Sequence, residues 1–464
     1  MGVNNSKRLA AKCSFLSKDE QVIVSQSFRL VSKNSEKIKE DDLVKLWGPQ
    51  MDSRLMQYIT NYLFGRATNR QQTVEFEKFA EMYVFCIRGT VDERLQVLLK
   101  CLGKNDIADP FDVTYILVKE FVESIVSTFM KIQKISNTKQ YQSWISRGSF
   151  SSPQNVQKFA ESLTHELAIN TQTITESDLS KWIGSCTILG ILLQHVFNHL
   201  YHITHKEKEK DKDKSQGTAY YSPDETHEIS ICDREKNLIP FCRGLDLIPS
   251  YPSLLDLNQL VFINANLPAK YRYEWRFLFS SEIHGESFST LIGRIINQGP
   301  SVLIIEDKNG YMFGGFAPVS WNLSPKWVGD DSSFLFTLTP KMRIFPSTGY
   351  NDHYQYLNLN QQTMPNGMCM GGQFDYCGLW LNSEYGLGHT SESCTTYKGY
   401  TQMSYQKEFN FSHLEVWGLE NPAASEDDDG TKVGSILDNV EQQSFLEMAG
   451  RTIHSDGMRE PPPE

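Results

Sequence analysis

The amino terminus carries the residues whose types and spacing point most directly to a chemical modification. Met1 is followed by Gly2, and Ser6 stands at the matching distance beyond it. N-myristoyltransferases acylate this pattern, because removal of Met1 exposes the amine of Gly2 and only glycine lets the enzyme approach closely. The spacing therefore predicts lipidation at Gly2. The alternative is a chance match in an unmodified tail.

Three basic residues, Lys7, Arg8 and Lys12, follow the acylation pattern. One myristoyl chain binds a membrane weakly, with an association constant of about 10⁴ M⁻¹. Each basic side chain near an anionic leaflet adds about 1 kcal/mol. We therefore predict reversible membrane attachment, in which Gly2 is lipidated and these three side chains contact the membrane surface.

Calcium binding is a second possible chemistry, because Val74–Phe79 resembles the exit of an EF-hand loop. Counted with Val74 as loop position 8, positions 1, 3 and 12 are Ala67, Asn69 and Lys78. A calcium loop needs carboxylates at these three positions. Lysine at position 12 instead places a cation where a bidentate glutamate belongs.

A second possible exit, Ile174–Leu179, places Leu167, Ile169 and Thr171 at loop positions 1, 3 and 5. None of these side chains is a carboxylate, so this loop also lacks calcium ligands. The sequence predicts helix pairs of EF-hand-like shape that do not bind calcium tightly, with generic helical hairpins as the alternative. We expect no metal ion and no cofactor.

Six polar residues near predicted turns of the C-terminal half are candidates for catalysis. No GxSxG, HExxH or Walker A sequence surrounds them. Adjacent residues of a strand point to opposite faces, so Asp352 and His353 are poorly placed to act as a base and its orienting partner. We predict that these groups make hydrogen bonds at turns and strand edges. The six are Ser280, Ser281, Glu282, His284, Asp352 and His353.

Composition limits the class of protein. The 464 residues are 40% hydrophobic and 22% charged, which is typical of globular chains with several domains. The net charge of −11 disfavours nucleic-acid binding, because duplex-binding proteins carry a basic face. Nine cysteines without a CxxC pair predict a reducing compartment in which the thiols are free and partly buried.

Two segments were candidates for membrane insertion or export. The polar and basic start of the chain lacks the apolar run of a secretory signal. Ile183–Ile203 holds no formally charged residue, but it contains glycine, amide side chains and histidines. We interpret it as a buried helix rather than a membrane span.

Changes in residue pattern divide the chain into segments. Residues 1–14 are the basic amino terminus, and residues 15–204 have the apolar periodicity of helices. Residues 205–242 begin with HKEKEKDKDKSQ, a charged run that cannot bury apolar surface and should be a solvated linker. Residues 243–420 alternate short apolar runs with turns, and residues 421–464 begin with an acidic linker.

Within residues 243–420 the pattern predicts an antiparallel hairpin. Ser301–Glu306 and Tyr311–Phe316 are apolar runs on either side of Asp307–Gly310, which contains an Asn-Gly turn. The other predicted elements are strands at Phe334–Leu338 and Leu414–Trp417 and helices at Leu254–Ala265 and Phe288–Asn297. The tryptophans of this region are interpreted as core residues rather than a ligand cage.

The C-terminal segment predicts one further helix, capped by Ser435 and ending before Gly450. An isolated helix of this length is marginal in water, so it must dock on its own body or on a partner. We predict partner binding through its apolar stripe, with intramolecular docking as the alternative. The stripe is formed by Leu437, Val440, Phe445 and Met448.

Ordered segments between residues 243 and 420 resemble the TLDc domain family. They are Tyr273–Ser281, His284-Gly285, Phe313–Phe316, Phe334–Phe336, Asn351–Asn358, Met370–Gln373, Gly378–Leu381, Cys394–Tyr397 and Glu415–Gly418. One departure is Asn382, where family members often carry an aspartate. The residue pattern predicts a multidomain α+β fold, with a helical EF-hand-like region, a domain of strands and helices, and a C-terminal helix. The resemblance implies that this domain is a β-sandwich-like TLDc domain with flanking helices and without known catalytic residues.

The resemblance also implies a function. TLDc proteins are linked to oxidative-stress resistance and to binding of the vacuolar-type proton ATPase, and the whole chain is similar to the lysosome-associated, mTOR-linked members. We therefore expect a non-enzymatic regulatory protein on the cytosolic face of the lysosomal membrane and in the cytoplasm. Its expected partners are the proton ATPase and mTOR pathway components, not nucleic acid. The alternative is an oxidative-stress resistance protein with a cryptic enzymatic activity in the TLDc domain.

Overall fold

A computed structural model describes residues 15–65, 71–103, 113–168, 174–203, 238–244 and 253–419. The chain divides into two compact units. The first is formed by Met1–Trp275, Gly310–Phe313 and Leu335–Phe345, and the second by Arg276–Asn309, Gly314–Phe334 and Pro346–Glu464. An N-terminal helical region followed by antiparallel strands confirms the predicted α+β class.

Helices form most of the first unit. They are α1 (Lys18–Val31), α2 (Glu40–Trp47), α3 (Ser53–Phe64), α4 (Phe76–Arg88), α5 (Val91–Leu102), α6 (Tyr115–Ser136), α7 (Lys139–Ile145), α8 (Pro153–Leu163), α9 (His165–Ala168), α10 (Glu176–Ser185), α11 (Thr187–Tyr201) and α12 (Leu257–Asn266). Side chains fix several starts: Ser17 accepts from the Glu20 N–H at α1, and Thr90 accepts from the Glu93 N–H at α5. Each pair is a capping box.

Aromatic side chains form part of the core of this helical region. The Tyr201 ring lies 4.6 Å from the Phe79 ring and 5.2 Å from that of Trp47, between centroids. The Tyr201 hydroxyl donates to the Phe79 carbonyl at 2.7 Å, which satisfies a polar group that burial would otherwise leave unpaired. These contacts bury the apolar side chains of α11 inside the first unit.

No single helix of the described ranges is both long enough and apolar enough to cross a membrane. Helices α10 and α11 together meet the length and composition criteria, but they are bent by 80° at their junction. Side chains along α11 are buried, among them Leu192 and Val196, neither of which is exposed at all.

Residues around the start of the TLDc-like region pack against the helical region within the first unit. The Trp144 indole N–H donates to the Pro240 carbonyl at 2.8 Å, and the Ser149 hydroxyl donates to the Leu255 carbonyl at 2.7 Å. Strand β3 (Phe241–Arg243) follows Pro240 directly. The end of the segment predicted as a linker, residues 238–242, is therefore ordered against α7.

The remaining elements are mostly strands. They are β1 (Ile38–Lys39), β2 (Thr73–Val74), β4 (Glu274–Ser280), β5 (Ser301–Asp307), β6 (Met312–Ala317), β7 (Ser324–Val328), β8 (Phe334–Thr339), β9 (Arg343–Pro346), β10 (Gln355–Asn358), β11 (Gly367–Met370), β12 (Leu379–Asn382), β13 (Leu387–His389) and β14 (Glu408–Gly418), with helices α13 (Ser281–His284) and α14 (Phe288–Ile295). The predicted hairpin is confirmed as β5 and β6. Gly310 at its turn has φ 78°, which glycine adopts without steric cost.

Within the second unit the strands follow the order β7, β10, β11, β12, β13, β14 and β5. Strand β14 is central: it pairs antiparallel with β13 at one end and with β5 and the second-unit part of β4 at the other. Because both of its edges are occupied, its C-terminal half is buried, including the carboxylate of Glu415, which accepts from the Trp417 indole N–H at 2.9 Å. Four of the five tryptophans predicted as core residues are buried, Trp275 in the first unit and Trp321, Trp380 and Trp417 in the second. The fifth, Trp327, is only partly buried.

Candidate functional site

The residues predicted to attach the chain to a membrane and to a partner lie outside the described residues. They are Gly2, Lys7, Arg8 and Lys12 at the amino terminus and Leu437, Val440, Phe445 and Met448 in the segment predicted as a C-terminal helix. These assignments stay predictions. The described residues do bear on calcium binding, on catalysis and on the cysteines.

Two loops of the helical region are joined by a short antiparallel contact. Strands β1 and β2 pair Ile38 with Val74 and Lys39 with Thr73. Each strand lies between two helices, α1 and α2 in one case and α3 and α4 in the other. Paired helix–loop–helix segments of this form are EF-hand-like, which favours that shape over generic hairpins.

The charges in the first loop replace calcium ligands with an internal ion pair. Counted with Ile38 as loop position 8, Lys33 is at position 3 and Asp42 at position 12. The Lys33 ammonium pairs with Asp42. The charge of Asp42, the acid that would chelate calcium, is therefore already neutralised. Lys33 itself stands at position 3, where calcium needs a second carboxylate. Sequence reasoning missed this loop because its position 3 is basic. The available signal was Ile38 followed by a run of acidic residues.

The second loop ends in Lys78, which the sequence places at position 12. Burial lowers the pKa of Lys78, and the nearby ammonium of Lys100 lowers it further. The loop that ends at Ile174 also contacts another loop, as β1 contacts β2. Just before α10, the Ile174 N–H donates to the Val113 carbonyl at 3.2 Å. Within the described ranges, no group of three or more histidine, cysteine or acidic side chains could hold a metal ion.

His284, a candidate catalytic residue in α13 just after β4, makes contacts of a structural kind. The Ser280 N–H donates to His284 Nδ1 at 3.1 Å. The imidazole stacks against Phe277 and Phe279, with ring centroids 5.7 and 5.5 Å away. Burial lowers the pKa of His284, and the Arg294 guanidinium lowers it further. This ring therefore accepts a backbone N–H at Nδ1 and packs between phenylalanines.

The neighbouring serine and glutamate contact strand β14. The Ser281 hydroxyl oxygen accepts from the Leu414 N–H at 3.2 Å. His413, one residue earlier on β14, has Nδ1 3.1 Å from Glu306 and Nε2 3.5 Å from Glu282. Because its two ring nitrogens face different carboxylates, His413 links α13 to β5 across β14.

The adjacent pair Asp352 and His353 does not form a base and its orienting partner. His353 Nδ1 donates to the Gly372 carbonyl at 2.6 Å, and its ring stacks on Trp327 at 4.8 Å between centroids. The Asp352 carbonyl accepts from the Tyr354 N–H at 2.9 Å. His353 thus holds one loop of the second unit against another.

Three loops of the second unit, residues 347–353, 371–378 and 391–398, meet at what we call the three-loop surface. The Gly372 N–H donates to Thr396 Oγ1 at 2.8 Å, and the Thr396 hydroxyl donates to Asn351 Oδ1 at 2.8 Å. Two tyrosines project from it: Tyr350 is 81% exposed and Tyr376 is 65% exposed. Tyrosine is enriched at the centres of protein interfaces, so this surface is a candidate for partner binding.

The cysteines correct one prediction. Cys369 and Cys377 form a disulfide with a Cα–Cα distance of 6.3 Å, so the prediction of free thiols is wrong for this pair. The chain between them turns back through Gly371 and Gly372, at φ 77° and 82°, and this reversal is not visible in the cysteine spacing. The free cysteines within the described ranges are Cys86, Cys101, Cys186, Cys242 and Cys394.

The sheet of the second unit and its loops lie within residues 248–420, which the TLDc domain family model matches. This match confirms the resemblance of the sequence segments. The chain belongs to the family of the MTOR-associated protein MEAK7.

Relatives of that name match most of the chain. The protein of Gallus gallus is 34% identical over 413 residues, covering 86% of this chain and 81% of the relative. The protein of Homo sapiens is 31% identical over 488 residues, covering 100% of this chain and 99% of the relative. The protein of Danio rerio is 35% identical over 380 residues, covering 81% of this chain and 77% of the relative.

Proposed function

We propose that this chain is a non-enzymatic regulatory protein of mTOR signalling that acts on the cytosolic face of the lysosomal membrane, is also present in the cytoplasm, and binds the vacuolar-type proton ATPase. The observation that carries the proposal is its match to the human MTOR-associated protein MEAK7 along 100% of this chain and 99% of that protein. A shared order of segments from end to end supports a shared role better than a shared TLDc domain alone.

The contacts of the candidate catalytic groups support the non-enzymatic part. Ser281 accepts a backbone N–H of β14, His284 accepts one at Nδ1, and His353 donates to a backbone carbonyl. A nucleophile and its base need to hydrogen-bond each other so that the proton can be transferred. These side chains instead bond to the backbone, which is the role of structural polar groups.

Two contacts would join the chain to its partner. One is the three-loop surface, which exposes Tyr350 and Tyr376. The other is the C-terminal helix, which the acidic segment after residue 420 connects to the TLDc domain. A covalent tether makes the second contact intramolecular once the first has formed, so two weak contacts reinforce each other. Lipidation at Gly2 would supply the membrane attachment.

The test is an affinity purification from detergent-solubilised lysosomes with the tagged full chain as bait. We expect proton ATPase subunits and mTOR pathway components to be retained, with less retained by a chain that ends at residue 420. Recovery of neither set with the full chain would contradict the proposal. A reaction catalysed by the purified chain and abolished by Ser281→Ala or His353→Gln, in variants that thermal melts show to be folded, would favour the enzymatic alternative.

A further inference from the structure

Three sulfur atoms lie at or beneath the three-loop surface. Cys369 and Cys377 form a disulfide, and neither residue is exposed at all. Cys394 is a free cysteine of intermediate burial. Exchange with a dissolved thiol requires direct attack on a sulfur atom, which full burial of the disulfide prevents. Cys394 is therefore the sulfur at which such a thiol could act.

The backbone places Cys394 against Gly371 and Gly378, which flank the two half-cystines. Cys369 Sγ lies 3.4 Å from the Gly371 carbonyl oxygen. A Cβ built on Gly371 would lie 3.0 Å from Cys394 Sγ, so the two residues are in close contact. Gly378, the residue after Cys377, donates its N–H to the Gly371 carbonyl at 3.1 Å and also lowers the pKa of the Cys394 thiol, so it lies near that sulfur. The Cys394 sulfur thus borders Gly371 near one half-cystine and the residue that follows the other.

Hydrogen-bond donors surround the Cys394 sulfur. Backbone groups of Thr396, Tyr397 and Gly378 lower the pKa of the Cys394 thiol, because nearby N–H dipoles stabilise a thiolate. Burial is the larger effect and raises the pKa of the Cys394 thiol. The thiolate is therefore a minority at neutral pH, and its fraction grows as the pH rises toward the pKa and beyond it. Because the thiolate is the attacking species, exchange should accelerate over the same range.

We propose that Cys394, Cys369 and Cys377 form a thiol–disulfide exchange site whose substrate is a small thiol such as glutathione. The proposal goes beyond the proposed function, which it uses only to place the chain in a compartment that contains glutathione. In such compartments protein disulfides are usually transient and redox-sensing.

The exchange proceeds in balanced steps. The Cys394 thiolate attacks Cys377 Sγ, a Cys377–Cys394 bond forms as the Cys369–Cys377 bond breaks, and Cys369 leaves as a thiolate that takes a proton from water. A glutathione thiolate then attacks Cys394 Sγ, which forms a mixed disulfide and releases Cys377. A second glutathione attacks the glutathione sulfur, restores Cys394 and leaves as glutathione disulfide. The two glutathiones supply the two electrons that convert the cystine to two thiols.

Reduction would change the three-loop surface. The disulfide closes the loop at residues 371–378, in which Phe374 stacks on Trp327 at 5.6 Å between centroids and Tyr376 is 65% exposed. Without the cross-link, the segment that carries Tyr376 regains conformational freedom, because loop closure no longer restricts it. The redox state of the Cys369–Cys377 pair would therefore determine how strongly the conformation of Tyr376 is restricted at the surface.

The test follows the disulfide by peptide mapping of the full chain, prepared without reductant, quenched in acid and alkylated. We expect the Cys369–Cys377 peptide in the starting protein. In glutathione buffer it should disappear at least about tenfold faster in wild type than in Cys394→Ser, and faster at about pH 8 than at about pH 7. Early quenched samples should contain a Cys377–Cys394 disulfide or a Cys394–glutathione disulfide. Cys242→Ser, which removes a cysteine of the first unit, should leave the rate unchanged.

Two outcomes would overturn the proposal. One is recovery of Cys369 and Cys377 as alkylated free thiols from protein prepared without reductant. The other is reduction of the disulfide at the wild-type rate in Cys394→Ser. Thermal melts check that this variant is folded, and Cys394→Ala replaces it if its melting temperature falls. If both variants have a lower melting temperature than wild type, the test relies on the trapped intermediates of the wild type. Their presence supports the exchange site, and their absence refutes it.

Discussion

Asp256 and Ser152 join the starts of two helices through one carboxylate. The Ser152 hydroxyl donates to Asp256 Oδ2 at 3.0 Å, and Ser152 is the N-cap of α8. Asp256 is itself the N-cap of α12, where its Oδ1 accepts from the N–H groups of Asn258 and Gln259 at 2.8 and 2.9 Å. The helical region and the first helix of the TLDc segment therefore share a cap within the first unit.

Asp256→Ala should destabilise the first unit by removing this shared contact. An N-cap contributes about 1 kcal/mol, so the loss should be about 1–2 kcal/mol, since Ser152 also loses its partner. A thermal melt of the full chain should show a lower melting temperature. Asp331→Ala, which removes an exposed carboxylate at a turn, is the matched control. Equal melting of the Asp256 variant and wild type would show that the shared cap adds no stability.

Calcium should not bind the EF-hand-like loops in the sensor range, which is about 10⁻⁷ to 10⁻⁵ M. Lys33 neutralises Asp42 in the first loop, and Lys78 stands at position 12 of the second. Isothermal calorimetry of calcium into the full chain should show no saturable heat in that range. A saturable site that Asp42→Asn removes would contradict this prediction.

Gly2→Ala should move the protein from membranes to the cytosol. Alanine blocks N-myristoylation, and the basic side chains of Lys7, Arg8 and Lys12 alone bind a leaflet only weakly. Membrane flotation of cell lysates gives the distribution, and intact-mass spectrometry reports the acyl group. Ser14→Ala, a similar small change outside the pattern, is the control. An unblocked amino terminus on wild-type protein would rule out lipidation.

Aspartate at Leu437 and Phe445 should weaken binding of the proton ATPase. Charges in an apolar groove cost several kcal/mol if the stripe is buried against the partner. The measurement is a pull-down of the ATPase with the double variant, and Gln442→Asp with Gln443→Asp adds the same charge on the polar face. If the stripe variant binds as wild type but melts lower, the helix packs on its own body and not on the partner.

His284 should make the second unit less stable as the pH falls. Its folded pKa is lowered from 6.5 by burial and by Arg294, so the unfolded chain binds the proton first. The stability that the neutral ring provides is complete above about pH 7 and is lost below the unfolded pKa. The free energy of unfolding, measured with denaturant, should change less between about pH 7 and about pH 5 for His284→Asn than for wild type. His202→Asn, at an exposed histidine, should leave the wild-type difference intact.

The outcome of sequence prediction depended on how local each signal was. The hairpin around Gly310 was predicted because turn and strands are consecutive, and the buried tryptophans because large apolar rings rarely remain in water. The Cys369–Cys377 disulfide was missed because it depends on backbone reversal at two glycines. The Lys33–Asp42 pair was missed for another reason: an ion pair that replaces the calcium ligands does not match the sequence pattern of a calcium-binding loop.

The three-loop surface was also beyond sequence reasoning. Thr396, Asn351 and Gly372 are far apart in the chain, yet their hydrogen bonds bring the loops together. Tyr350 and Tyr376 gave no periodic signal, because both lie outside regular strands. Their loops become neighbours through long-range strand pairing and these hydrogen bonds, which local sequence does not reveal.

The position of β14 in the sheet has a consequence for synthesis of the chain. It is the last described strand to be made, yet it pairs with β13, β5 and β4, and Glu415 lies opposite Ser280. Domains fold as units while the chain emerges, so the helices of the first unit can form early, but this sheet cannot close until Gly418 has left the ribosome. Until then, β4, β5 and β13 expose unpaired backbone edges. The nascent polypeptide is therefore most prone to aggregate during that interval, when chaperones would be needed to shield it.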